Sequence, residues 1–261
     1  MIRKHIIRAI IWKEWRELFR NRIIVFTIAL ISILLSVILP TLFGIILTLE
    51  PSSEEFPIGG ELGNYVTALE KMLAGIYILF LPLLLIIIPV MSSNTLAIYS
   101  FVGEKERKTL ESLLLIPATD FELLIAKILS VYLPAVAIGF LSNLVYFLIV
   151  KLYIEATYNV FLLPHPVYLV TVFLLAPIFA FVVVELSVFI SIISSDIRKA
   201  ENLSGTIVIP IILLILGTLT GAIILTLTEI LLITVILAII SIGLIKILEN
   251  EFNRERLITS I

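Results

Sequence analysis

Apolar residues in this chain do not alternate with polar ones; they gather into six nearly uncharged runs separated by short polar stretches. The runs are Ile23–Leu49, Met72–Val102, Ile128–Val150, Pro166–Ser195, Leu203–Thr228 and Ile230–Leu248. The shortest holds 19 residues, and at about 1.5 Å per residue each can cross a hydrocarbon core of about 30 Å. The pattern predicts six transmembrane helices, here spans one to six. Composition removes the alternatives. Of 261 residues, 61% are hydrophobic and 15% charged, whereas soluble domains are roughly 45–50% apolar and about 25% charged. Soluble and disordered classes are excluded, and the expected fold is an all-α integral membrane protein.

Orientation follows from Lys and Arg, which concentrate on the cytoplasmic side of membrane proteins. Arg3, Lys4, Arg8, Lys13, Arg16, Arg20 and Arg22 precede span one. Lys105, Arg107, Lys108 and Lys127 join spans two and three, Arg198 and Lys199 join four and five, and Lys246, Arg254 and Arg256 close the chain. The other connections carry only Lys71 and Lys151. Both termini are therefore expected in the cytoplasm, with the chain passing repeatedly through the cytoplasmic (cell) membrane. A net charge of −2 gives no basic field for nucleic acid.

Residues 1–22 are too long and too mixed for the start of a cleavable signal. Ile7, Ile11, Trp15 and Leu18 recur at helical spacing with Trp12 and Phe19 beside them, while Arg8, Lys13, Arg16, Glu17 and Arg20 take the opposite side. This predicts an amphipathic interfacial helix in contact with membrane lipid. Residues 23–248 form the six-helix transmembrane domain and 249–261 a cytoplasmic tail. The acidic stretch Glu50–Lys71 reads as a short outer cap, and Thr228 with Glu229 as a tight turn between spans five and six.

Missing chemistry narrows the function. There is no G-x-x-x-x-G-K-[ST] phosphate loop, no H-E-x-x-H, no cysteine, and only His5 and His165, which fall on opposite sides. No catalytic residue, metal ligand or cofactor site is expected in this chain. The intramembrane polar candidates are Asn94, Asn143 and Glu185. Glu185 lies about 15 Å along the helix from the inner end of span four. It reads either as a substrate or ion contact in a cavity, or as a hydrogen-bonding partner of a neighbouring span such as one carrying Asn94 or Asn143. Pro40, Pro82, Pro89, Pro134, Pro177 and Pro210 interrupt five spans and permit kinks. Small residues, Ser32, Ser36 and Gly44 in span one and Gly217 and Gly221 in span five, allow close backbone approach, either between two copies of the chain or within one.

The connection between spans two and three is the most informative segment: FVGEKERKTLESLLLIPATDFELLIAK, Phe101 to Lys127. Glu104, Lys105, Glu106, Arg107 and Lys108 form a dense mixed-sign cluster. Leu110, Leu113 and Leu114 share a helical face before Pro117 stops the helix. Thr119 and Glu122 then make a capping box for the next helix. A short amphipathic helix at the membrane mouth, leucines ready for a groove, follows.

This segment resembles the cytoplasmic loop of permease subunits of type-2 ATP-binding-cassette (ABC) transporters. An acidic–basic cluster (Glu104 to Lys108) precedes Thr109-Leu110-Glu111, a leucine run from Leu113, Pro117, and Lys127 opening span three. ISSDIRKAENL, Ile193 to Leu203, is similar to the family's second inner loop. The resemblance implies a coupling helix between spans two and three, gripped by a separate ATPase subunit in two copies that binds ATP and Mg. It further implies a permease homodimer, with spans one and five near its axis, and transport, expected to be outward. The short turn expected between spans five and six leaves no room for the re-entrant outer helix of some branches. Two other readings stay open: a non-transport anchor or assembly subunit that docks an ATPase, and an ion-coupled carrier using Glu185.

Overall fold

The computed structural model describes residues 4–49, 77, 81–106, 119–158, 164–194, 196–219 and 225–251, and every regular element among them is helical. Among the described residues six helices are long and apolar enough to cross a membrane: Arg22–Ile45, Leu81–Glu104, Asp120–Ala156, Pro166–Ile193, Ile197–Thr218 and Leu227–Glu249. They correspond one to one with the six runs. A seventh helix, Lys4–Arg20, precedes them. The segment expected as a coupling helix, Arg107 to Pro117, lies outside the described residues, as do Gly221, the stretch 50–71 expected as an outer cap and the tail beyond 251.

Boundaries shift where polar residues belong to helices. The third helix runs Asp120–Tyr158 rather than 128–150. It starts at the expected capping box: Thr119 N–H donates to Glu122 Oε2 at 3.0 Å and Glu122 N–H to Thr119 Oγ1 at 3.2 Å. The fifth span begins at Ile197, not Leu203, because Asp196 accepts from Arg198 N–H at 2.9 Å and caps a helix there. ISSDIRKAENL is thus largely the start of a helix rather than a loop. The sixth begins at Leu227, and Thr226 N–H donates to Glu229 Oε2 at 2.8 Å. Thr228 and Glu229 therefore sit in the helix's first turn rather than forming a hairpin turn.

The second span is the centre of the bundle: 78% of its apolar window is buried, against 17% for the sixth. A helix that is apolar all round needs such a position, and Ile88, Val90, Leu96, Ala97 and Ile98 are all enclosed. Two cores stack along it. One joins Leu18, Ile24, Phe101, Leu124, Val188 and Leu248; these residues mark the basic end. The other joins Tyr77, Leu81, Tyr146, Val167 and Ile230 at the opposite end.

Each proline has its own consequence. Proline lacks an N–H and its ring crowds the carbonyl four residues back, and a widened π turn relieves that crowding. Leu34–Ile38 and Thr171–Leu175 are π turns, each ending two residues before a proline, Pro40 and Pro177. The second span breaks at Ile86, between Leu81–Leu85 and Ile87–Glu106. Pro134 instead lies inside an unbroken helix. Tyrosines stitch the half of the bundle beyond these breaks. Tyr77 Oη donates to Pro40 O at 3.2 Å, Tyr146 Oη to Tyr77 O at 2.6 Å, Tyr153 Oη to Gly44 O at 2.5 Å and Tyr168 Oη to Asn143 O at 3.2 Å. Gly44 is required by this contact, since a Cβ there would stand 2.9 Å from the Tyr153 ring.

Candidate functional site

Around the roots of the 107–118 connection, three helices bring five ionisable side chains together. Glu104 ends the second span, Lys127 opens the apolar part of the third, and Lys13, Glu14 and Glu17 come from the N-terminal helix. Lys127 Nζ donates to Glu104 Oε2, and also to Ser100 O at 3.2 Å, and sits 4.8 Å from the Phe101 ring centre. An ammonium has three donors, so this fully enclosed lysine is well served. Lys13 Nζ reaches Glu104 Oε1 at 3.2 Å from the more exposed side. Ser100 Oγ donates to Glu14 Oε2 at 2.8 Å. A cavity of about 200 Å³ opens beside the cluster, with Glu14, Glu17, Tyr99 and Gly103 among its lining residues.

Glu104 and Lys127 stand on either side of the 107–118 connection. Their pairing ties together the two helices that the connection joins, and Lys13 adds the N-terminal helix to the same knot. That helix is fastened a second way. Pro134 cannot supply an N–H to the carbonyl of Ser130, four residues back; Trp15 Nε1–H donates to that carbonyl instead, at 2.8 Å. The fifth helix joins from the other side, where Ala200 packs against Ile98 and Val102 of the second span. Displacing the connection thus means displacing spans two and three and the N-terminal helix together.

Beside the amphipathic pattern expected in residues 1–22, the helix carries a protein-facing stripe. The buried stripe is Ile10, Glu14 and Leu18, with Trp15 half-buried, while Trp12 and Phe19 are exposed at 62% and 51%. The helix turns one face to the protein and its free aromatics away. Glu14 and Ser100 were missed in the sequence. The available signal was a glutamate at i, i+4 from both Ile10 and Leu18, on a stripe otherwise apolar. Burial pushes the Glu14 carboxyl up, with the Lys127 ammonium opposing and Glu104 adding to the rise. The fold therefore favours its protonated form, and its contribution to stability falls as pH rises from the ordinary carboxylate value through the raised one. Glu14→Gln keeps an acceptor for Ser100 without the charge. Thermal unfolding at pH 8 should show it at least as stable as wild type, with any advantage shrinking toward pH 4.

The intramembrane candidates are not gathered into one site. Asn94 Oδ1 accepts from Ser187 Oγ at 2.7 Å, linking spans two and four. Glu185 Oε1 accepts from Ser241 Oγ at 2.9 Å, so its partner is span six rather than Asn94 or Asn143. Asn143 Nδ2 donates to Gly139 O, one turn back in its own helix, at 2.9 Å. Of the small residues, Gly44 lies under Tyr153, Ser36 is buried and donates to Ser32 O at 2.6 Å, and Gly217 is half-buried in span five.

A family model described as ABC-2 type transporter matches residues 5–220. No curated protein and no solved structure matches the chain. The matched region takes in the N-terminal helix, the whole charged knot and the connection it brackets.

Proposed function

Because the chain belongs to the ABC-2 type transporter family, whose permeases work with ATP-binding-cassette subunits, we propose that it is the permease subunit of an exporter whose ATPase docks on the connection between spans two and three. Two permease copies and two ATPase copies make the working unit, and ATP and Mg belong to the ATPase. The connection and both termini face the cytoplasm, and the membrane is the cell membrane. Spans one and five supply the homodimer contact, beginning with Gly217.

The observation that carries this reading is the Glu104–Lys127–Lys13 knot. A motor pushing on a loosely tethered loop would bend the loop; pushing on a loop whose two roots are tied moves both helices. The mixed charges Lys105, Glu106, Arg107 and Lys108 give the register for docking, and Leu110, Leu113 and Leu114 the apolar contact. Few polar side chains line the spans, which favours an amphipathic cargo over a large sugar.

The test is co-purification of the full chain with the ATPase subunit, comparing wild type with the double substitution Arg107→Glu, Leu114→Asp. Reversing a charge and burying a carboxylate in the contact should abolish recovery of the complex while the permease stays folded. Association left unchanged, or nucleotide hydrolysis by the permease alone, overturns the proposal.

A further inference from the structure

A small notch opens on the bundle surface where the second, third and fourth spans meet. Its walls include Pro89, Gly139, Phe140, Asn143, Val172 and Pro177, and its volume is about 10 Å³, room for the centre of about one water-sized group. The notch is built by helix breaks. A Cβ at Gly139 would come within 2.9 Å of Pro89, so the third span approaches the second this closely only at a glycine. Pro89 and Pro177 each stand just past a break in their own span.

Two of its lining residues carry acceptors short of donors. Asn143 is 97% buried, and its Oδ1 has no hydrogen-bond partner among the described residues. Its amide orientation is fixed, because Nδ2 must donate to Gly139 O. Val172 is the second. Ala176 N–H, four residues on, bonds Thr171 O in the π turn, and the next residue, Pro177, has no N–H. The Val172 carbonyl therefore loses both of its helical donors. Leaving a buried acceptor without a donor is unfavourable, and in a membrane no bulk water relieves it.

We propose that this notch binds one hydroxyl group, which donates its single hydrogen to Asn143 Oδ1. Among the described residues no carboxylate or lysine lines the notch, so an ammonium would be left with unmade donors and an uncompensated charge. A hydroxyl brings a single donor and no charge. Phe173, 63% exposed, lies tilted against Phe140 at the rim, their ring centres 5.4 Å apart, and offers an apolar bed for the rest of an amphipathic molecule. The same O–H chemistry has two sources, the hydroxyl of a long-chain alcohol-like amphiphile or a water.

The experiment uses the full permease alone in lipid nanodiscs, so its failure leaves the ATPase proposal standing. A photoreactive long-chain primary alcohol is compared with its methyl ether, which cannot donate, and adducts are mapped by mass spectrometry. Alcohol labelling at residues 136–143 and 172–177 should exceed ether labelling by about fivefold, as one neutral hydrogen bond implies. Asn143→Leu should abolish that preference, and Val136→Phe, which enlarges another residue lining the notch and spares the Asn143 acceptor, should lower both labels. If alcohol and ether label alike, but hydroxyl-radical footprinting of Phe140 drops in Asn143→Leu, the donor is water. Equal labelling with a footprint that neither substitution changes overturns the proposal.

Discussion

Lys127→Met should lower the unfolding free energy by about 3–5 kcal/mol, the cost of breaking a buried ion pair from one side. The substitution leaves Glu104 and Glu14 enclosed with only Lys13 as a counter-charge, and Ser100 O loses a donor. The large value belongs to the stranded carboxylates, not to the bond itself. Adding Glu104→Gln to Lys127→Met should therefore recover most of the loss, since it removes one of the uncompensated charges. Denaturation in detergent, followed by tryptophan fluorescence, measures both. A single substitution within about 1 kcal/mol of wild type would mean that the knot is solvated and holds nothing together.

Trp15→Phe should cost about 1–3 kcal/mol through the acceptor it abandons. Phenylalanine keeps the aromatic packing but has no N–H, so the Ser130 carbonyl, already deprived by Pro134, is left unsatisfied. The distinguishing expectation is a reversal by context. In a Pro134→Ala background the backbone N–H of residue 134 can serve Ser130, and Trp15→Phe should become nearly neutral. A double-mutant cycle over the two positions measures the coupling. Equal costs in both backgrounds would show that the indole N–H does not serve this carbonyl.

The number of spans was legible because bilayer crossing needs long apolar runs, and all six runs became helices. Helix ends were not, because a helix extends wherever its polar residues find partners. Lys127 and the Lys151–Glu155 pair, 3.8 Å apart, lie outside the apolar run of span three yet inside its helix. Local signals with a fixed spacing survived: the Thr119–Glu122 box is made by residues three apart, and its geometry follows from the chain alone. The knot at the basic end was only half visible. Glu104 and Lys127 were each singled out, but as members of one loop pattern. That they pair, and that Lys13 and Glu14 join them, depends on packing across 91 residues of chain, which no local spacing encodes. The two π turns were foreshadowed by Pro40 and Pro177, although Pro134, of the same residue type, left its helix intact because a distant tryptophan took over the missing donor.

That borrowed donor has a consequence for biogenesis. The indole of Trp15 leaves the ribosome 115 residues before the carbonyl it serves. At a synthesis rate of about 5–20 residues per second, the leading helix waits on the order of ten seconds for its acceptor. For most of that interval nothing of span three is present to receive it, and Trp12 and Phe19 stay uncovered by the protein throughout. Insertion of the third span then ends the wait, so the first helix made is locked in place only after three later helices have followed it from the ribosome.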